Sequence, residues 1–261
     1  MKVPLRVRTL TESSGVQRAG TAHTMPTESY GVDCATTTSP FIGTCSSDGA
    51  GVALAHIYGP LAPRATPTTL SGSFVAIPQG KFVDSPAAHS LADTAYAYVP
   101  RACASGERCK VHVAFHGCKQ SVSAVGDAYY KHTCYNEWAD TNHIVVLYPQ
   151  TIAKQSGNAN GCWDWFGYDS ADYAKKTGPQ MRMVKAMIDG LASGAIAGAD
   201  GGAPSDAGAP SDAEHVAAGR ARLLRVRVRC GLGAEPGAHQ LAAADLAHAG
   251  REGGGVIGAC R

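Results

Sequence analysis

Residues 110–118 read K-V-H-V-A-F-H-G-C. Val111, Val113 and Phe115 alternate with His112 and Ala114, which is the two-residue period of a strand over 110–115. The run stops at His116-Gly117, where a glycine lets the backbone turn sharply and come close to a ligand without a Cβ in the way. A strand that ends this way, followed by a helical pattern, sets the frame in which the rest of the chain is read.

Downstream, residues 121–142 read as one long helix, with Val125, Ala128, Tyr129, Tyr135, Trp138 and Ala139 on one side. The apolar run H-I-V-V-L-Y over 143–148 predicts a central parallel strand, buried on both faces. A Gly- and Trp-rich loop covers 158–168. An amphipathic helix covers 178–192, with Met181, Val184, Met187, Ile188 and Leu191 on its buried face. Upstream, 70–77 and 94–99 read as strands and 48–58 as a short helix, while 20–45 is rich in Thr, Ser, Pro and Gly and reads as loop. The resulting order of strands and helices predicts an α/β fold.

The composition narrows the class. A chain of 261 residues with 44% hydrophobic content has room for one large domain or two small ones. A formal charge of +2 gives no argument for nucleic acid or a membrane surface as partner. No run approaches the ~18 apolar residues a spanning helix needs, and the start M-K-V-P-L-R-V-R has no apolar core of a signal peptide.

Nine cysteines are many for a cytosolic enzyme. Cys34 with Cys45, and Cys103 with Cys109, bracket turn-rich loops and read as small disulfide loops of a secreted protein. With no C-x-x-C pair in the chain, no metal site is expected. Extracellular localisation and the missing signal peptide conflict, so either the natural N-terminus lies upstream of residue 1 or the chain is not exported.

Four segments follow. Residues 1–19 carry no clear period and form an uncertain start. Residues 20–194 hold the folded domain. Residues 195–219 form a low-complexity linker in which G-A-P-S-D-A occurs twice, and 220–261 form a disordered Arg-, Ala- and Gly-rich tail. The tail has the composition of an out-of-frame translation of GC-rich coding sequence, which would leave Cys230 and Cys260 without a structural role.

Six motifs then stand in a fixed order: H-T-M-P-T from His23, H-I-Y-G from His56, H-G-C from His116, Y-N-E-W-A-D-T-N from Tyr135, V-V-L-Y-P-Q from Val145 and G-C-W-D-W-F-G-Y from Gly161. Together they resemble the C-terminal portion of the secreted polyhydroxybutyrate depolymerases, whose α/β-hydrolase domain is circularly permuted. The resemblance covers about residues 20–194. It implies a partial α/β-hydrolase sheet with flanking helices and a serine-type carboxylic-ester hydrolase acting on polyester by Ser-His-Asp acyl transfer, with no cofactor. In that family the nucleophile elbow and the acid precede the His, and the oxyanion strand comes last. The resemblance therefore implies that Ser and Asp lie upstream of this chain, which alone would be inactive. An unpaired strand edge would be left where that half docks, so the isolated chain would aggregate or be poorly stable.

On the resembling positions, His23 is the general base, and the backbone N–H of Cys118 binds the oxyanion. The side chain of Cys118 is then free to bond Cys162, fixing the oxyanion loop against the Trp loop. His116 supports the turn and is not a base. Trp163 and Trp165 line a polyester-binding cleft, with alternation putting one of them inward, while Asp164 between them makes structural hydrogen bonds. Two imitations of a nucleophile are set aside. Gly190-Leu191-Ala192-Ser193-Gly194 reads as a helix end with a glycine cap, and Ser46-Ser47 precede a helix but have no strand in front. Cys134 reads as a free, buried thiol inside a helix. Two other functions stay open: a related esterase releasing feruloyl or acetyl groups from plant polysaccharide, and a non-catalytic module that holds polymer on its Trp loop. The oligomeric state is unspecified.

Overall fold

The computed structural model describes residues 20–154 and 156–194, with the backbone of 227–228 and 257–259. The start expected over 1–19, the linker over 195–219 and the remainder of the tail over 220–261 lie outside the described residues.

The chain opens with three short strands, β1 (Met25–Thr27), β2 (Val32–Asp33) and β3 (Ile42–Thr44), followed by helix α1 (Gly49–Tyr58). Next come β4 (Ser73–Pro78), β5 (Thr94–Val99), the one-turn α2 (Arg101–Ala104) and β6 (Arg108–Ala114). Three short helices, α3 (Val122–Val125), α4 (Ala128–His132) and α5 (Tyr135–Thr141), lead to β7 (Ile144–Tyr148) and then to α6 (Pro179–Ser193). Two further strands, β8 (Arg227–Val228) and β9 (Ile257–Ala259), complete the described elements.

The main sheet runs in the order β4-β5-β7-β6, with β8 and β9 both on β6. The alternation in β6 sorts its side chains to opposite faces. Val111 and Val113 join Val145, Leu147, Ala97 and the apolar side of α6 in one core layer. Ala114 faces the other layer with Val146, Tyr148, Tyr129, Tyr135 and Leu54 of α1, and His112, on the same side of the strand, has its ring against Tyr135. With both faces covered, all five residues of β7 are buried, which explains its uninterrupted apolar run. β7 is parallel to β6 but antiparallel to β5, so the expected parallel environment holds on one side only.

Three sequence expectations are corrected. Residues 20–45 are not loop throughout: β1, β3 and β2 form a small parallel sheet, with Met25 opposite Ile42 and Asp33 opposite Thr44. Strands of two or three residues are too short to show a period. The helix over 121–142 is broken twice. Gly126 at φ 61° ends α3, and Cys134 at φ 67° stands at the start of α5. At the second break, Thr133 Oγ1 donates to Tyr129 O and Asn136 Nδ2 to Tyr130 O, both at 2.7 Å, so side chains satisfy carbonyls left at the end of α4. On α6 the deeply buried methionines are Met183 and Met187, with Met181 only half-buried. The outer edge of β6 is paired with β8 at Arg108 and Cys109 and with β9 at His112, Val113 and Ala114.

Leu147 is fully buried at the centre of the sheet. Leu147→Ala should destabilise the fold by about 2–5 kcal/mol, read as a lowered midpoint in urea unfolding with an unchanged slope.

Candidate active site

The site begins where β6 stops. His116 is fully buried, and its Nδ1 lies 2.7 Å from the carbonyl oxygen of Gly117. A carbonyl only accepts, so the proton sits on Nδ1 and Nε2 is bare. Nε2 accepts from the backbone N–H of Thr151 at 3.2 Å, while the Thr151 hydroxyl donates to Gly161 O at 2.5 Å. Both ring nitrogens are thereby engaged. Burial pulls the imidazole down to about 4, so it is neutral at physiological pH and does not serve as a base.

The Gly117 carbonyl accepts a second bond, from Gln120 N at 3.2 Å. In a planar trans peptide the N–H of the next residue points opposite to that carbonyl. Fixing Gly117 O from one side therefore aims the Cys118 N–H to the other. Cys118 is exposed, and among the described residues its N–H has no acceptor. A Cβ at Gly117 would come within 2.7 Å of Gln120 Oε1, so a larger residue there would push on that amide.

Cys118 is bonded to Cys162, with Cα atoms 4.2 Å apart, and Lys119 N donates to Asn160 O at 2.7 Å, so the turn is held against the Trp loop. Inside that loop the carboxylate of Asp164 accepts from the backbone N–H groups of Gly167, Tyr168, Asp169 and Ser170 at 2.7–3.1 Å. Asp164 is thus a loop organiser and is fully engaged in that task. Asp169, at the far side of the loop, pairs with His89 Nδ1 at 2.8 Å. Trp163 turns inward, its ring 4.9 Å from Phe115 and 5.7 Å from His116. Trp165 turns outward, 52% exposed beside Phe166 at 54%.

His23 is exposed two residues before β1, and its imidazole has no hydrogen-bond partner among the described residues. The backbone around it is strapped to the segment 34–41. Ala22 N donates to Cys34 O at 2.8 Å, His23 N to Thr37 Oγ1 at 3.2 Å and Met25 N to Phe41 O at 2.8 Å. Cys34 and Cys45, which follow the paired ends of β2 and β3, are disulfide-bonded. Cys103 is bonded to Cys109 at the start of β6. The small sheet is joined to the turn at Gly117 through Gln120, whose Nε2 donates to Phe41 O at 2.9 Å and Pro40 O at 3.2 Å. Sequence reading passed over Gln120, since a glutamine three residues after Gly117 carries no local signal of a contact 79 residues away.

The serines are placed as follows. Ser193 donates to Gly190 O inside the last turn of α6, which Gly194 caps at φ 72°, so this stretch is a helix end. Ser46, at φ 49°, does have a strand in front, because β3 precedes it and α1 follows. The expectation that no strand precedes it is corrected. Yet β1 and β3 are parallel with Met25 opposite Ile42, so His23 lies off one end of the sheet and Ser46 off the other. At ~3.3 Å per residue the two are on the order of 15 Å apart or more. Cys134 is a half-buried free thiol that burial raises to about 11, and so is not a nucleophile near neutral pH.

A mixed sheet covered by helices on both faces, with a free N–H at a His-Gly corner on a strand end, belongs to the α/β-hydrolase class of fold. The family model "Esterase PHB depolymerase" matches residues 94–243, and the chain belongs to that family. It is 47% identical over 174 residues to a poly(3-hydroxybutyrate) depolymerase of Delftia acidovorans, covering 66% of this chain and 34% of that protein. It is 41% identical over 195 residues to a polyhydroxybutyrate depolymerase of Talaromyces funiculosus, covering 69% and 56%. The crystal structure of PHB depolymerase from Penicillium funiculosum superimposes with a TM-score of 0.61 at 41% identity, over 65% of this chain and 57% of that one. A PHB depolymerase complexed with an R3HB trimer matches equally well. The chain spans between about a third and a little over half of these relatives' length.

Burial lowers both His112 and His116 to about 4 from 6.5. The unfolded chain then binds protons that the native state refuses, so stability is undiminished above pH 6.5 and falls as pH drops toward 4. Each histidine contributes a slope approaching ~1.4 kcal/mol per pH unit in that window. Urea midpoints measured across it should show His116→Gln removing about half of the slope.

Proposed function

We propose that the chain supplies the proton shuttle and one oxyanion donor of a carboxylic-ester hydrolase acting on poly(3-hydroxybutyrate). The observation that carries this reading is the unengaged Cys118 N–H on a peptide pinned by His116, strapped through Gln120 to the segment that holds His23. In the reaction a serine hydroxyl attacks the ester carbonyl, and the carbonyl oxygen takes the negative charge, which the Cys118 N–H stabilises. His23 accepts the serine proton and delivers it to the departing alkoxide; water then releases the acid by the same route. No described serine is hydrogen-bonded to His23, so the attacking hydroxyl is assigned to the Ser-bearing segment of the family, outside the described residues. The circularly permuted order, with that segment upstream of the His, is part of this reading, as is secretion, which the three disulfides among the described residues favour.

Contact of the polymer with the Trp loop is supported by the exposure of Trp165 and Phe166, an apolar platform suited to methyl-bearing ester units. This feature also favours the second reading, a module that holds polymer without cutting it. Adsorption to PHB granules, measured for the chain and for Trp165→Ala, separates the contributions. Retention of full binding in the variant would remove Trp165 from the contact surface.

Assayed alone, the chain should release no hydroxybutyrate above background from PHB. Supplied with the Ser-bearing segment of the Talaromyces funiculosus relative, it should release hydroxybutyrate in preference to ferulate from a feruloyl ester. His23→Ala should cut that release by roughly a thousandfold or more. Activity that survives His23→Ala, or turnover by the chain alone that depends on Ser193, would refute the proposal.

A further inference from the structure

If His23 and the Cys118 N–H belong to one site, something must keep them at a fixed separation, since they lie just off the ends of strands in different sheets. One buried side chain at this end of the molecule hydrogen-bonds to segments flanking both sheets. Gln120 Oε1 accepts from Gly117 N at 2.8 Å, and its Nε2 donates to Phe41 O at 2.9 Å and Pro40 O at 3.2 Å. Phe41 O also accepts from Met25 N at 2.8 Å, two residues from His23. The primary amide thus uses its acceptor on the oxyanion turn and both donors on the segment that straps the histidine. Leucine can do neither, and glutamate can do only the first.

We infer that Gln120 is a positioning residue which couples the orientation of the Cys118 N–H to the placement of His23. The inference rests on the functional reading above and deepens it: catalysis by a base and an oxyanion donor requires both to be held in register with one carbonyl. Gln120 contributes that register without touching substrate. Its amide lies where a Cβ at position 117 would come within 2.7 Å, so a side chain there would press on the same link.

The test compares the wild-type chain with Gln120→Leu and Gln120→Glu by backbone NMR and amide hydrogen exchange, neither of which depends on hydrolysis. In Gln120→Leu, exchange at the Gly117 amide should speed up roughly tenfold or more, and the resonances of Phe41, Met25 and the His23 ring should shift with it. In Gln120→Glu, Gly117 protection should persist while the Phe41, Met25 and His23 signals still move, because the carboxylate keeps the acceptor and lacks the donors. The Leu147 amide in the core should exchange as in wild type, which excludes general loosening. Where Gln120→Leu does not fold, the one-sided response of Gln120→Glu decides the matter. His23 and Met25 signals that stay put in Gln120→Glu would overturn the coupling. Reconstituted hydrolysis that fails with the coupling intact would count against the esterase reading instead, and hydrolysis that persists without the coupling would count against Gln120.

Discussion

The carbonyl of Gly117 accepts from the His116 ring and from Gln120 N, and the planar peptide converts that acceptance into a direction for the Cys118 N–H. Everything proposed for this site depends on that peptide not rotating. A free glycine-containing turn would have several orientations open to it. Here rotation would require breaking a hydrogen bond from a ring that is itself held at Nε2 by Thr151, whose hydroxyl is tied to Gly161 beside Cys162. The donor is therefore fixed before any substrate arrives, which is the condition under which a backbone N–H stabilises developing charge at no reorganisation cost.

The same constraint accounts for the placing of the cross-links. Cys118–Cys162 joins residues 44 apart and closes the turn onto the Trp loop. Cys34–Cys45 clamps the ends of β2 and β3 and so the segment to which His23 is strapped. Each restricts the unfolded chain by a loop-closure term worth roughly 3–4 kcal/mol. Both also lie at the borders of the two segments whose separation matters. Polar ties then complete what the covalent ones begin: Asp164 orders the Trp loop through four backbone N–H groups, and Gln120 joins the sheets.

How far the sequence was legible follows from the range of the forces involved. β6, β7 and α6 were readable because burial acts along each element with a fixed period, and the alternation of 110–115 and the apolar run of 143–148 record it directly. The small sheet of β1, β2 and β3 was not, since strands of two or three residues leave no period. The helix over 121–142 looked continuous because its apolar positions do repeat, but Gly126 and Cys134 at positive φ redirect the chain, so that Tyr129, Tyr130 and Tyr135 all reach the sheet. His116, His23 and the two tryptophans could be singled out from their motifs. Gln120 could not, since its meaning lies in carbonyls 79 and 80 residues away.

The two histidines of β6 and its extension show what distinguishes a working polar group from a tolerated one. Both are fully buried and both are held neutral by desolvation. His116 has each nitrogen engaged, so its burial is compensated and its ring transmits a constraint to the turn. His112 Nδ1 meets the Tyr58 hydroxyl at 3.3 Å, but its Nε2 has no hydrogen-bond partner among the described residues. An unsatisfied buried polar atom costs about 1–3 kcal/mol, and nothing in the site draws on that nitrogen. The asymmetry assigns the organising role to the histidine at the strand end. There the ladder bonds of the sheet have stopped, and a side chain must take over the task of holding the backbone in place.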